Sequence, residues 1–345
     1  MAINSTLDAL SDQAFGASAA AYTVALVCTA VEFASRRTAA RAVRDEELVG
    51  VGVLTRDGTA SGVPIIPTVG SRVPGTLPGG GQIGHVSAES RSTVPWGDRF
   101  GNAGLLVTIL GFVAHVFSIV TRGLSAGRLP LGNMYEFTSV ICAAVIGCWL
   151  AIRLRQRTLP IGVFVLTPVT LLMLINGAIL HTPAAELQPA LNSYWKWIHV
   201  TTVSLSSGVL MFSGIASLLY VLRQRWEARG SSPTSIWAKL PNLATVDRIA
   251  YRTAILAFPV YTFAVIAGAL WAEVAWGRYW NWDPKETCAF ITWVIYAGYL
   301  HARATAGWRG TKSAWISVVG LASIVFNLFF VNMVISGLHS YAGLN

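Results

Sequence analysis

Long apolar stretches alternate with short polar ones along this chain. A helix needs about 20 mostly apolar residues to cross a hydrocarbon core of about 30 Å, and eight windows fit that requirement. They centre on Tyr22–Ala34, Ala103–Thr121, Met134–Ile152, Ile161–Leu180, Trp197–Leu222, Ala254–Trp271, Thr287–His301 and Ala314–Ser336. The pattern predicts an all-α, polytopic transmembrane bundle of about eight helices. Glu32 lies within the first window, and a signal peptide would also be N-terminal and apolar. The basic flank of a signal peptide is missing before it, however, and Arg36, Arg37, Arg41 and Arg44 follow instead, so it reads as a retained helix.

Those arginines set the expected orientation, because Lys and Arg accumulate in cytoplasmic loops. With the N-terminus outside, residues 36–100, 153–160, 223–252 and 303–312 fall inside, and the C-terminus falls outside. Of the 25 basic residues, this leaves only Arg122, Arg128, Lys196, Arg278 and Lys285 outside. One helix more or fewer would scramble the asymmetry. The net charge of +9 is thus a topology signal with no need of nucleic acid. Composition agrees: at 54% hydrophobic and 12% charged, with a mean hydropathy of +0.55, the chain has too little charge to cover a soluble globule.

Three regions are expected: a first transmembrane helix at 1–35, a mobile cytoplasmic insert at 36–102, and a transmembrane domain at 103–345. The insert is rich in Gly, Pro, Ser and Thr, including Pro78-Gly79-Gly80-Gly81, without a sustained apolar period. The four cysteines, Cys28, Cys142, Cys148 and Cys288, form no CxxC pair and read as packing residues. Dinucleotide fingerprints, phosphate loops and internal repeats are all missing, and no residue is nominated as a general acid or base.

The informative segment is the loop at 271–286, where Trp271, Trp276, Trp280 and Trp282 place four of the 13 tryptophans in twelve residues. An interfacial aromatic belt would be scattered over both membrane surfaces. Here the cluster shares one outside loop with Gly277, Arg278, Tyr279 and Asn281. Asp283-Pro284-Lys285-Glu286 carries the pattern of a capping box with proline at the first helical position, so it starts the seventh helix. A rigid aromatic platform with a nearby cation suits a large planar apolar ligand bearing anionic groups, such as haem.

Haem iron takes axial ligands, and neutral His is a common one. His199, after Trp195-Lys196-Trp197, and His339, after the last apolar run, fall level with the tryptophan loop. His301 lies about 14 residues into the seventh helix, or about 21 Å deeper, which makes it a functional candidate near the inner side. Snorkelling beside Arg303 is its alternative. His115 is poorly matched in depth to share an iron with His301, so a second inner ligand would come from another chain. His181 is a weaker candidate, and His85 in the insert is read as a non-ligand. Asn133, Tyr135 and Glu136 at the outer end of the third helix either line the cavity or start that helix.

With these residues in view, the chain resembles the CcsA/ResC cytochrome c assembly proteins of System II, over roughly residues 103–345. Trp276-Gly277-Arg278-Tyr279-Trp280-Asn281-Trp282-Asp283-Pro284-Lys285-Glu286 is similar to that family's WWD motif. Pro130-Leu131-Gly132-Asn133-Met134-Tyr135-Glu136 and the order of the histidines add to the likeness. The resemblance implies haem b as ligand and substrate, with His199 and His339 on an outer iron and Trp276–Asp283 holding the vinyl-bearing edge. His301 would serve a transmembrane haem site. It also implies a Ccs1/ResB-type partner subunit that supplies the missing inner ligand, apocytochrome c with its CxxCH motif as acceptor, and thiol-reducing thioredoxin-like proteins upstream.

The expected activity is that of a cytochrome c synthase subunit in the plasma membrane, joining haem vinyls to CxxCH thiols on the extracytoplasmic side. The protein's share is positioning and redox protection. A haem exporter or chaperone that hands haem to a separate ligase is the alternative, since both need inner and outer sites. A plain transporter with aromatic belts would bind no haem.

Overall fold

A computed structural model describes residues 3–35, 96–156, 159–185, 193–230, 235–305, 308, 310–335 and 337–339. The expected insert over 36–95, with His85, lies outside the described residues. Among the described residues eight α-helices follow one another: α1 (Ser5–Ser35), α2 (Trp96–Ala126), α3 (Met134–Arg155), α4 (Gly162–Ala178), α5 (Tyr194–Ala228), α6 (Leu243–Trp276), α7 (Pro284–Ala304) and α8 (Thr311–Phe326). A π-helical turn, Asn327–Val331, prolongs α8. The all-helical, polytopic expectation holds.

Among the described residues six helices, α1, α2, α3, α5, α6 and α8 with its π-turn, are long and apolar enough to cross a membrane. The other two fall short: α4 has 17 residues, and α7 carries Lys285, Glu286 and Arg303. Several helices outrun their apolar windows. The first begins at Ser5 and the second at Trp96, inside the stretch assigned to the insert. The polar first half of α1 was invisible as a helix because it is apolar neither to lipid nor to core; it lies along α2 through hydrogen bonds.

That contact shows how the bundle is held. α2 buries Gly101, Gly104, Thr108, Gly111, His115, Ser118, Arg122 and Ser125, spaced three or four apart on one face. Leu106, Leu110, Val113, Phe117, Val120 and Leu124 stand exposed on the other. Small and polar residues let membrane helices approach closely and bond across their interface. Ser11 and Ser118 exchange bonds, each hydroxyl donating to the other's carbonyl at 2.9 and 2.8 Å. His115, fully buried, lies 3.3 Å from the Tyr22 hydroxyl and 2.8 Å from that of Ser139. At Gly111 a β-carbon would stand 3.0 Å from Ala21 and 3.1 Å from the Tyr22 ring.

Packing then proceeds in antiparallel steps. α5 lies along α6 and also meets α3 and α8, while α4 joins α1 to α3, and α7 sits between α6 and α8. Trp149, Ile146, Val165, Leu210 and Tyr296 are buried at the centre. At one end, Arg122 reaches Asp8 at 2.8 Å and Glu136 at 3.2 Å, and Arg128 reaches Glu136 at 2.7 Å. At the other end, Arg303 grips Asp247 through two bonds of 2.7 and 2.8 Å, and Lys239 donates to the Ala34 carbonyl. Arg153, Arg155, Arg223, Arg225 and Lys312 sit at helix ends on this same side.

Because the α1–α2 seam has no spare room, Gly111→Leu is expected to destabilise the detergent-solubilised protein by about 1–3 kcal/mol. The neighbouring Leu110→Ala, on the exposed face, is expected to change it by about 0.5 kcal/mol or less. Thermal unfolding of both variants checks this, and equal losses would contradict the packing.

Candidate functional site

The site is assembled where α6 ends and α7 begins. α6 stops because Gly277 adopts the left-handed conformation, φ 71°, and its N–H bonds the Glu273 carbonyl at 2.8 Å. Trp282 also has positive φ, 58°, the only non-glycine to do so among the described residues. Asp283 and Glu286 form the capping box that starts α7 behind Pro284. The Glu286 carboxylate accepts from the backbone N–H of Asn281 at 3.0 Å and of Asp283 at 3.2 Å. The tryptophan loop is therefore pinned at both ends by helix termini.

Asp283 does more than start a helix. Its Oδ1 accepts from the Leu338 N–H and its Oδ2 faces His339 Nδ1, both at 2.9 Å. A β-carbon at residue 337 would stand 2.5 Å from Oδ1, so Gly337 is what lets the C-terminal segment close on this carboxylate. Burial raises the Asp283 pKa, but the hydrogen bond from His339, that residue's charge and backbone N–H groups outweigh it and hold the carboxyl below its usual value. His339 is pushed below the usual imidazole value by burial, against the opposing pull of Asp283.

His199 stands one turn into α5. Its Nδ1 is 2.7 Å from the Ala264 carbonyl. A carbonyl only accepts, so Nδ1 carries the proton and neutral His199 keeps its lone pair on Nε2. Ionised Asp283 selects the same tautomer at His339. A partner that fixes one ring nitrogen, and with it the tautomer and ring orientation, is the arrangement of metal-ligating imidazoles. Gly268 makes room for the His199 ring, since a β-carbon there would stand 2.7 Å from it. Trp271, 1% exposed, is shared by both histidines: it stacks on His199 at 6.0 Å and meets His339 edge-on at 5.8 Å. Trp276 packs on His339 at 5.1 Å.

These groups line one cavity of about 1240 Å³ of space between atoms, its mouth included. The wall is mostly apolar and aromatic, as ligand pockets are. Of the residues singled out in the sequence, His199, His339, Asn133, Trp276, Tyr279, Trp280, Lys285 and Glu286 line it. Asp283 stands behind His339, and Gly277 and Arg278 are exposed in the loop. Trp282 is 66% exposed and packs edge-on against Trp280 and Phe290, outside the wall.

Tyr135 and Glu136 face away from the cavity. Glu136 is consumed by Arg122, Arg128 and the Gly132 N–H, while Tyr135 packs on Phe15 and His181. Their neighbour Asn133 caps α3, accepting from the Glu136 N–H. His181 is exposed and pairs with Asp12 at 3.2 Å. His301 lies in the last turn of α7 with its side chain exposed, seventeen residues or about 26 Å from Pro284. This exceeds the distance expected from the sequence because the helix starts earlier than its apolar window.

Sequence reasoning did not select Lys196, Gly268 or Asn332 for the site. Asn332 closes the π-turn, donating to the carbonyls of Asn327 at 3.1 Å and Leu328 at 2.7 Å, and accepts from Lys285. Irregular helical turns of this kind are frequent at functional sites. Only Lys196 had an available signal, the i, i+3 spacing that sets it on the face of His199.

Comparison with known proteins matches residues 103–339 to the family described as cytochrome C assembly protein. The chain is 35% identical over 257 residues to the cytochrome c biogenesis protein CcsA of Guillardia theta, covering 69% of this chain and 85% of that one. It is 33% identical over 288 residues to the protein so named from Trieres chinensis, covering 74% and 91%. With that of Gloeobacter violaceus the identity is 34% over 279 residues, covering 66% and 82%.

Since Asp283 joins the α7 start to the C-terminal segment, Asp283→Ala is expected to cost about 2–4 kcal/mol through a lost cap and two charge-assisted hydrogen bonds. Asp283→Asn, which keeps an acceptor, is expected to cost less than half of that. Thermal unfolding gives the ranking, and hydrogen exchange at the Leu338 amide should quicken in the alanine variant. An unchanged exchange rate there would contradict the joint.

Proposed function

The chain belongs to the cytochrome c assembly protein family, and we propose that within this role it binds haem b in the cavity of α3, α5, α6, α7 and the C-terminal segment and presents it for thioether formation. It is a multi-pass membrane protein acting in cytochrome c biogenesis. The observation that carries the proposal is the pair His199 and His339. Each imidazole has its Nδ1 engaged by an acceptor, and both border one aromatic cavity. In this reading each imidazole would ligate the iron through Nε2.

The remaining groups follow from the chemistry. Trp271, Trp276 and Trp280 supply flat apolar surface for a porphyrin. In the reaction, each CxxCH thiol of an apocytochrome adds across a haem vinyl group. Sulfur bonds one vinyl carbon, the thiol proton ends on the other, and no net oxidation occurs. The protein holds the ring still and limits water around it, which converts an encounter of two molecules into a positioned one. The cytochrome's own His then displaces one of the two histidines.

In this reading the cavity end of the bundle faces the extracytoplasmic side of the plasma membrane, as basic residues gather at the opposite helix ends. His301 is exposed near that opposite end, where a histidine of a Ccs1/ResB-type subunit would complete an inner haem site. Thiol-reducing thioredoxin-like proteins would keep the acceptor cysteines reduced.

His199→Ala and His339→Ala are each expected to abolish cytochrome c maturation and the low-spin haem spectrum of the membrane-inserted protein, with imidazole restoring the spectrum. Full activity of both variants without imidazole would end the ligand assignment. Thioether product formed by the purified complex on an apocytochrome peptide separates synthesis from haem export.

His301→Ala is expected to starve the outer site without damaging it. Its haem content should fall when haem comes from the cytoplasm and recover when haem is supplied from outside. Wild-type haem content in the variant under cytoplasmic supply would remove His301 from the route.

A further inference from the structure

Lys196 is a buried cation at the cavity wall that the histidines and tryptophans leave unexplained. It lies in the first turn of α5, one helical turn before His199, and is 2% exposed. Its Nζ has no hydrogen-bond partner among the described residues and sits 4.9 Å above the Trp197 ring. An ammonium carries three donors and is almost never fully buried without an acceptor. Contact with an indole face offsets only part of the lost hydration.

Among the described residues, the carboxylates that could serve it are engaged elsewhere. Glu136 is held by Arg122 and Arg128, and Glu286 by the backbone of the tryptophan loop. Lys285, the other ammonium of the wall, already donates to Asn332. Beside His199 the cavity wall therefore holds a covered ammonium that has no acceptor among the described residues, in mostly apolar and aromatic surroundings where a charge-assisted bond to an anion is strong.

Resting on the haem reading above, we propose that Lys196 binds a carboxylate of the porphyrin and thereby fixes which edge of the ring enters first. Porphyrin carboxylates and vinyl groups lie on opposite edges of haem b. A lysine that captures the carboxylate edge turns the vinyl edge away from the start of α5 and prevents the ring from binding the other way round. The histidines hold the iron whichever way the ring is rotated in its plane; Lys196 breaks that degeneracy.

The test is titration of the full chain in detergent with haem b and with its dimethyl ester, which retains iron, ring and vinyls but lacks both anionic charges. The Soret band gives each Kd. The wild type is expected to bind the ester about tenfold or more weakly than haem b, the loss of one hydrogen bond between charged groups. Lys196→Met should weaken haem b by a similar factor, barely alter the ester, and keep the histidine-ligated spectrum, whereas Lys196→Arg should retain the preference for haem b. Equal affinities of the wild type for the two porphyrins would overturn the proposal and leave the haem reading standing, and so would a preference that survives in Lys196→Met. Failure of the wild type to take up either porphyrin would overturn both. The ester comparison on the wild type decides the matter even if Lys196→Met does not fold.

Discussion

Helices that are apolar towards lipid gain little from burying apolar surface against one another, since lipid tails are as apolar as leucine. In this bundle, selectivity between helices therefore rests on the small and polar stripe. α2 shows the inversion plainly, with glycines, serines and His115 facing α1 while leucines, valines and Phe117 face outward. Once α1 and α2 are zipped in this way, Tyr22 and His115 fix the position of Ser139 on α3, and α4 is held between α1 and α3. The glycine positions are as constraining as the hydrogen bonds, because a close approach cannot be relaxed around an added methyl group.

The same economy of polar contacts shapes the site. Asp283 is one carboxylate with three structural duties: it begins α7, anchors the backbone at Leu338 and orients His339. Its position couples the tryptophan loop to the C-terminal segment, so the two halves of the site are not independently mobile. His199 is fixed from the opposite wall by a backbone carbonyl on α6, and Gly268 on that helix leaves room for its ring. Trp271 lies between the two histidines and senses both. A ligand bridging them would thus be gripped by three separate parts of the chain, α5, α6 and the segment after α8.

Within the wall, charge is distributed unevenly. Acidic groups are paired with arginines or with backbone N–H groups, whereas Lys196 lies in the cavity wall with its ammonium covered and without an acceptor among the described residues. Such a cavity suits an apolar planar molecule with peripheral negative charge and centrally placed metal. The thioether synthesis proposed above would ask little more of the protein, because vinyl and thiol would carry the reactivity and the protein would supply orientation. Trp282, strained at positive φ and projecting outward beside Phe290, belongs to the outer surface of the loop rather than to the ring pocket.

The sequence by itself determined the helical class, the order of eight helices and the identity of the loop between α6 and α7, because these follow from local quantities. Runs of apolar residues measure bilayer thickness, a capping pattern marks a helix start, and clustered tryptophans stand out from any belt. It also put His199 and His339 at one level, since depth along a helix is counted in residues. It could not place the start of α1, whose polar residues become helical only against α2. Nor could it turn Tyr135 and Glu136 away from the cavity, because that depends on Arg122 and Arg128 claiming the carboxylate. The contact between Asp283 and His339 and the fit of Gly268 to His199 join residues 56 and 69 positions apart, and the burial of Lys196 likewise comes from packing. Only tertiary structure decides these, because helix rotation about its own axis is set by packing against neighbours and leaves little trace in a sequence that is apolar on nearly every face.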